Sequence, residues 1–390
     1  MRWYVCWIVL LCAVGLTGCD DDGASGSPEP SLAATTPTPD VATIRAAGAA
    51  ARDAGGGTSV MLFSIGDASA RRLDDVPGVA FAEWFDGGTK FVGYDWNENA
   101  YKIIDLDGTT VATFGQEAAG NRRNSFITAA NDGTSVLLHR EDSGADVLLS
   151  VMSGEERAFA PGSPAATNGG FEFSPNGSQV AFNRVVDDRA SVYLADSAGE
   201  NARPLLSAQY ASVGIAGGHA WSPDGRLLLV EERHVVDACL SCWSNVVIDL
   251  EGNAVWTMPG LSDDAVLIDV RWAGAGRLLV TKNQIVDDGS IVAESVTLVD
   301  LASGGEREVD PGIAQRFLSL SPDGDHAITR LGDGARWEEY CALVAIDWDS
   351  GELTEIASIE PAVADFETVF CTTVDWSSDG TKAIVSASGI

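Results

Sequence analysis

The chain has 390 residues, 57 acidic against 24 basic, and a formal net charge of −33. Such a surface repels phosphate backbones, which excludes nucleic acid as a partner. With 45% hydrophobic residues, 42 glycines and no long helical periodicity, the composition predicts an all-β protein rich in turns.

The first elements in chain order are not part of a fold. Met1 and Arg2 form a short positive start, and Trp3 to Leu16 is an apolar run. The run is short for a membrane span and suits a signal peptide. It ends in Leu16-Thr17-Gly18-Cys19, which resembles a bacterial lipobox, in which the cysteine is lipidated and becomes the mature N-terminus. An ordinary signal peptide with an incidental cysteine is the alternative. Residues 1–18 are therefore read as a lipoprotein signal peptide. Residues 19–58 are read as lipidated Cys19 followed by a Ser-, Pro-, Ala- and Gly-rich disordered linker. The expected location is the cell envelope, with the exported chain tethered through lipid alone and facing the periplasm or the extracellular space.

From residue 59 a turn recurs. Its copies are WFDGGTKFV (84–92), AANDGTSVL (129–137), FSPNGSQVA (173–181), WSPDGRLLL (221–229), WAGAGRLLV (272–280), LSPDGDHAI (320–328) and WSSDGTKAI (376–384). Aligning the last glycine of each gives Gly88, Gly133, Gly177, Gly225, Gly276, Gly324 and Gly380, at spacings of 44 to 56 residues. A β-branched run with an Asp-containing hairpin interleaves, as in YKIIDLDG (101–108), NVVIDLEG (245–252) and LVAIDWDSG (343–351). One further short strand follows each run. Four strands repeated seven times predict a seven-bladed β-propeller over 59–390. The folded part begins with third-strand material (Ser59 to Ile65) and ends with second-strand material (Lys382 to Ser388). The last blade is thus expected to be closed by N- and C-terminal strands together.

The W-S-P-D-G turn, a strand, and a V-V/I-D-x-x-x-G hairpin resemble the TolB-type, WD-repeat-like β-propeller family. The resemblance implies fold and says little of function, because such propellers bind proteins, bind ligands or accompany catalytic domains. Neither the α/β domain found beside the propeller in TolB nor a fused serine-hydrolase domain is visible.

Candidate chemistry falls into four groups. Ser222 and Asp224 could mark a nucleophile loop, but copies place Asn131, Gly274 and Phe85 in the turn, so it reads as structural. The residues preceding each Trp position should face a central channel; Glu83, Glu172, Asp375 and Arg271 are its charged members, beside Thr128, Ala220 and Ser319. They read as an ion-paired pore, or as a site for a cation or small polar ligand. The loops joining second and third strands lengthen at 232–245, 282–294 and 330–342. They bring Trp243, Trp337, Tyr340, Arg233 and Arg336 to one face as a candidate binding surface; the aromatics could equally pack their own loops. Cys239, Cys242, Cys341 and Cys371 remain for disulfides, with a bridge within the CxxC and a 341–371 bridge expected and a four-cysteine zinc site as the minor alternative. Histidine is scarce, and DWNEN (95–99) only partly resembles a calcium loop. No cofactor or metal is expected, with calcium the one weak candidate.

The sequence thus predicts a non-catalytic, membrane-anchored binding module for an envelope protein, a glycan or a small polar ligand. The alternative is a propeller enzyme of lactonase, lyase or hydrolase type acting at the channel mouth.

Overall fold

The computed structural model describes residues 58–389, apart from 74–78, 96–97, 99, 115–123, 141–142, 160–166, 187–188, 208–211, 216–219, 237–238, 259–266, 286–290, 311–316, 332–339 and 360–368. The segments expected to be signal peptide and linker, with Cys19, lie outside the described residues up to residue 57, while Thr58 already belongs to β1; Arg336 and Trp337 also lie outside them.

The chain forms seven antiparallel four-stranded sheets arranged as blades in a ring. It opens with β1 (Thr58–Ser64) and β2 (Ser69–Arg72). Blade one is β3 (Val79–Asp86), β4 (Lys90–Asp95), β5 (Ala100–Asp105) and β6 (Thr110–Phe114). Blade two is β7 (Asn124–Ala129), β8 (Ser135–Arg140), β9 (Ala145–Ser150) and β10 (Glu156–Ala158). Blade three is β11 (Thr167–Phe173), β12 (Gln179–Val186), β13 (Arg189–Asp196) and β14 (Arg203–Ser207). Blade four is β15 (Ser212–Ile215), β16 (Leu227–Val236), β17 (Cys239–Asp249) and β18 (Ala254–Thr257). Blade five is β19 (Leu267–Trp272), β20 (Arg277–Ile285), β21 (Ile291–Asp300) and β22 (Gly305–Val309). Blade six is β23 (Phe317–Leu320), β24 (His326–Leu331), β25 (Tyr340–Asp347) and β26 (Glu352–Ile359). Blade seven takes β27 (Val369–Trp376) and β28 (Lys382–Gly389) from the end of the chain and β1 and β2 from its start. β1 pairs with β28 from Thr58↔Ser388 to Ser64↔Lys382, so the expected closure is present.

The apolar core is divided among the seams between blades. Leu228 and Val230 of β16 pack into a cluster with Val192 and Leu194 of blade three. Leu229, pointing the other way, packs with Trp272 and Leu278 of blade five. Successive side chains on a strand point to opposite faces, and here both faces are covered, so the run Leu227-Leu228-Leu229-Val230 is apolar throughout. Each of the seven seams has such a cluster.

The recurring turns join the first and second strands of each blade. In blade four the Gly225 N–H donates to the Ser222 carbonyl (2.8 Å), and Gly225 has φ +70°. A tight turn followed by a left-handed residue re-enters the next strand with the right twist. Blade five departs from the alignment. There the left-handed residue is Gly274 (φ +106°), while a Cβ on Gly276 would meet nothing. Adjacent turns abut one another: a Cβ on Gly324 (φ +75°) would stand 2.2 Å from the Ala273 carbonyl oxygen of blade five.

Gly324→Ala therefore combines a disfavoured φ with a clash against backbone, and is expected to cost about 3 kcal/mol. Gly276→Ala should be nearly neutral. Denaturant midpoints of the two variants check this, and equal effects would contradict the ring of packed turns.

Candidate functional site

The serine of the turn is not a nucleophile. Ser222 is fully buried. Its Oγ donates to Asp224 Oδ1 (2.7 Å) and accepts from the Leu227 N–H (2.9 Å) and the Arg226 N–H (3.2 Å). Ser321 and Ser377 repeat the arrangement with Asp323 and Asp379, and Ser174 repeats it with Asn176. These hydroxyls close turns. Asn176, Asp224 and Asp379, with Pro175, Pro223 and Ser378, line a cavity of about 320 Å³ among the turns of blades three, four and seven.

The channel residues form a second repeating device. Asp375 accepts a hydrogen bond from the Trp84 N–H of the next blade (2.7 Å). Glu83 accepts from the Ala129 N–H (3.0 Å) and from Thr128 Oγ1 (2.6 Å), again one blade on. Glu172 accepts from the N–H groups of Ala220 (3.1 Å) and Trp221 (3.4 Å). The first strand of a blade has an open edge toward the channel, and in blades one, two and four a carboxylate one blade back satisfies donors there. The indoles return the link: Trp84 Nε1 donates to the Asp375 carbonyl (3.1 Å), Trp221 Nε1 to that of Glu172 (3.1 Å) and Trp272 Nε1 to that of Ala220 (3.2 Å). Arg271 takes no part in these links and pairs with Asp269 of its own strand (2.6 Å). The four charged residues therefore do not form the ion-paired pore expected. Three of them are blade-to-blade staples, because backbone amides of the next blade reach their carboxylates.

Enclosure in the ring has an electrostatic consequence. Burial first, then the Asp375 charge, push the Glu83 carboxyl up to about 8 against the hydrogen bonds from Thr128 and Ala129; Glu172 adds to the rise. Burial likewise holds Asp375 at about 6, although the Trp84 and Trp376 N–H groups favour its charged form. At neutral pH Glu83 is thus mostly protonated and Asp375 mostly ionised.

The long loops are for the most part not loops. Glu232–Val236 and Cys239–Asn245 pair within β16 and β17, with Arg233 opposite Trp243 and His234 opposite Cys242. Lys282–Ile285 and Ile291–Ser295 pair in the same way in blade five. Tyr340 begins β25 opposite Leu331. Extended backbone satisfies its polar groups by pairing, so these segments prolong their blades as two-stranded ribbons. Neither β15 nor β18 follows the blade-four ribbon to its tip, since their register ends at Arg233 and Val246. The same geometry bears on the cysteines. Cys239 and Cys242 both lie in β17, opposite Val236 and His234, and the register shifts between these two pairs. Cys341 is buried, 1% exposed, and disulfide-bonded.

Among the described residues no group of three or more His, Cys, Asp or Glu side chains is placed to hold a metal. In the partial calcium motif, Asp95 and Glu98 are ion-paired to Lys102 Nζ, at 2.7 and 2.8 Å. Sequence reasoning missed this lysine and also missed the rim arginines. Arg71 and Arg203, each in the last strand of a blade, donate to the carbonyls of Leu106 and Leu250 in the hairpin of the next, and Arg307 pairs with Asp349 in the same way. The signal was a basic residue recurring in the last strand.

No protein-family model matches the chain, and no curated protein does. Among solved structures it is similar to a putative TolB from Agrobacterium tumefaciens, at 13% identity and TM-score 0.42, over 86% of this chain and 99% of that one. TolB from Acinetobacter baumannii matches at 13% and 0.39, over 81% and 67%. An oligogalacturonate lyase in complex with manganese matches at 11% and 0.49, over 80% and 89%. Likeness at this level is one of fold alone, so function must rest on the chain's own residues.

The raised carboxyls make a prediction about pH. Glu83 and Asp375 bind protons more tightly folded than unfolded. Their contribution is fully favourable below pH 4 and is lost as pH rises through about 6 for Asp375 and about 8 for Glu83. Gln at position 83 keeps an acceptor for Thr128 and Ala129 but carries no charge. The melting temperature of Glu83→Gln relative to the parent should therefore rise from pH 5 to about pH 8 and level off above it. A difference independent of pH would contradict this assignment.

Proposed function

We propose that the chain is an exported lipoprotein, tethered to the membrane through Cys19, whose propeller is a non-catalytic binding module of the cell envelope. One observation carries this reading. The repeated polar residues that could have served chemistry are committed to the ring, whereas among the described residues the paired middle strands are longest in blades four and five, where they form ribbons. The ribbons and the blade-six hairpin, with Arg233, Trp243, Arg336, Trp337 and Tyr340, supply aromatic and cationic residues that the repeat does not require. Such residues on a rigid scaffold suit a protein or glycan ligand.

A second reading, an enzyme of lactonase, lyase or hydrolase type at the channel, draws on the different protonation states of Glu83 and Asp375. It ranks second because both carboxyls already accept hydrogen bonds from the adjoining blade.

The test is cross-linking capture from envelope membranes with the anchored protein, followed by direct binding of the purified partner. Trp243→Ala with Trp337→Ala should weaken binding at least about tenfold, while Glu83→Gln should leave it unchanged. Unchanged binding in the double variant, or loss in Glu83→Gln, would place the site elsewhere.

A further inference from the structure

The seams are not equally fastened. Four blades carry a Trp just before the turn that leads to the second strand: Trp84, Trp221, Trp272 and Trp376. Three indoles donate to the preceding blade. The fourth, Trp376 of blade seven, has a buried Nε1 with no acceptor among the described residues. The residue on blade six that holds the carboxylate position is Ser319, 5% exposed, which is too short to act as Glu83 and Glu172 do. Other seams also lack a Trp at this position: the two–three seam is filled by Phe159, Phe171 and Phe182 packed ring to ring, and the five–six seam is tied by Arg277 on the Asp323 carbonyl and Asp325 and by Arg307 on Asp349.

Cys341 lies at this six–seven seam. It belongs to the cluster that joins blade six to Phe63, Val374 and Trp376 of blade seven. Its register partners within blade six are Arg330 and Ile359, so the bonded sulfur comes from outside the blade. β27 packs against β25 and carries Cys371.

We propose that a Cys341–Cys371 disulfide locks the six–seven seam in place of the missing staples, and that its reduction by a dithiol opens the ring there. Blade seven, though assembled from both chain ends, is held to blade one by Asp375, Trp84 and the Lys382 ammonium on the Gly88 carbonyl (3.3 Å). The weak point is thus the covalently locked seam and not the closure of the termini. In the reduction, one thiolate of the dithiol attacks a bridge sulfur, the S–S bond breaks, and the other cysteine leaves as a thiolate that takes a proton. The second thiol of the reductant then resolves the mixed disulfide. Two cysteine thiols and an oxidised reductant remain. Cys341 adjoins Tyr340, so the lock sits at the root of the blade-six hairpin.

Peptide mapping without reductant should show 341 linked to 371. Hydrogen exchange is then followed in the oxidised protein, in the dithiol-treated protein and in Cys341→Ser/Cys371→Ser. Protection in β25 and β27 should fall about tenfold or more on losing the bridge, with β3 and β28 unchanged. Linkage of Cys341 to another cysteine, unchanged protection, or loosening first between β28, β27 and β3 would overturn the proposal. The treated parent protein supplies the answer if the double variant does not fold.

Discussion

Every blade buries both of its faces, and that constraint governs the rest of the molecule. A strand such as β16 sends Leu228 toward blade three and Leu229 toward blade five, so no blade is stable without two neighbours. The ring must close, and it closes by putting both ends of the chain into one sheet. Burial between blades supplies the non-directional part of the attachment. The staples supply the direction: a carboxylate on the amides of the next blade, an indole on the carbonyl behind it, and an arginine at the rim.

Most of the architecture was legible in the sequence because it repeats. Ser-Pro-Asp-Gly before an apolar run identifies a hairpin wherever it stands, and its failed copies showed that Ser222 is not reactive. What was not legible depends on neighbours far along the chain. Glu83 and Trp84 sit side by side, but one reaches blade two and the other blade seven, and nothing local announces this. Blade five was misaligned because Gly274 and Gly276 both fit the motif, and only φ separates them. The ribbons were read as loops because Ser241, Ser244, Asn245 and Asn283 are turn-formers by type although they stand in paired strands. The rim arginines were overlooked because their recurrence in the last strand shows only once whole blades are aligned.

This division also orders the search for function. Residues that recur in register from blade to blade are explained by the ring. Residues that do not recur, on the ribbons of blades four and five and at the start of β25, are not needed for it. The channel carboxyls, which by their perturbed protonation alone would look catalytic, owe that perturbation to being enclosed while holding two blades together.

The central claim, that the channel carboxylates fasten one blade to the next, is tested most directly at Glu172. Amide exchange should be compared between the parent protein and Glu172→Ala. The Ala220 and Trp221 amides of blade four should exchange faster, while the amides of blade one keep their protection. Unchanged exchange at Ala220 and Trp221 would contradict the account and return these carboxylates to the list of candidate ligand-binding groups.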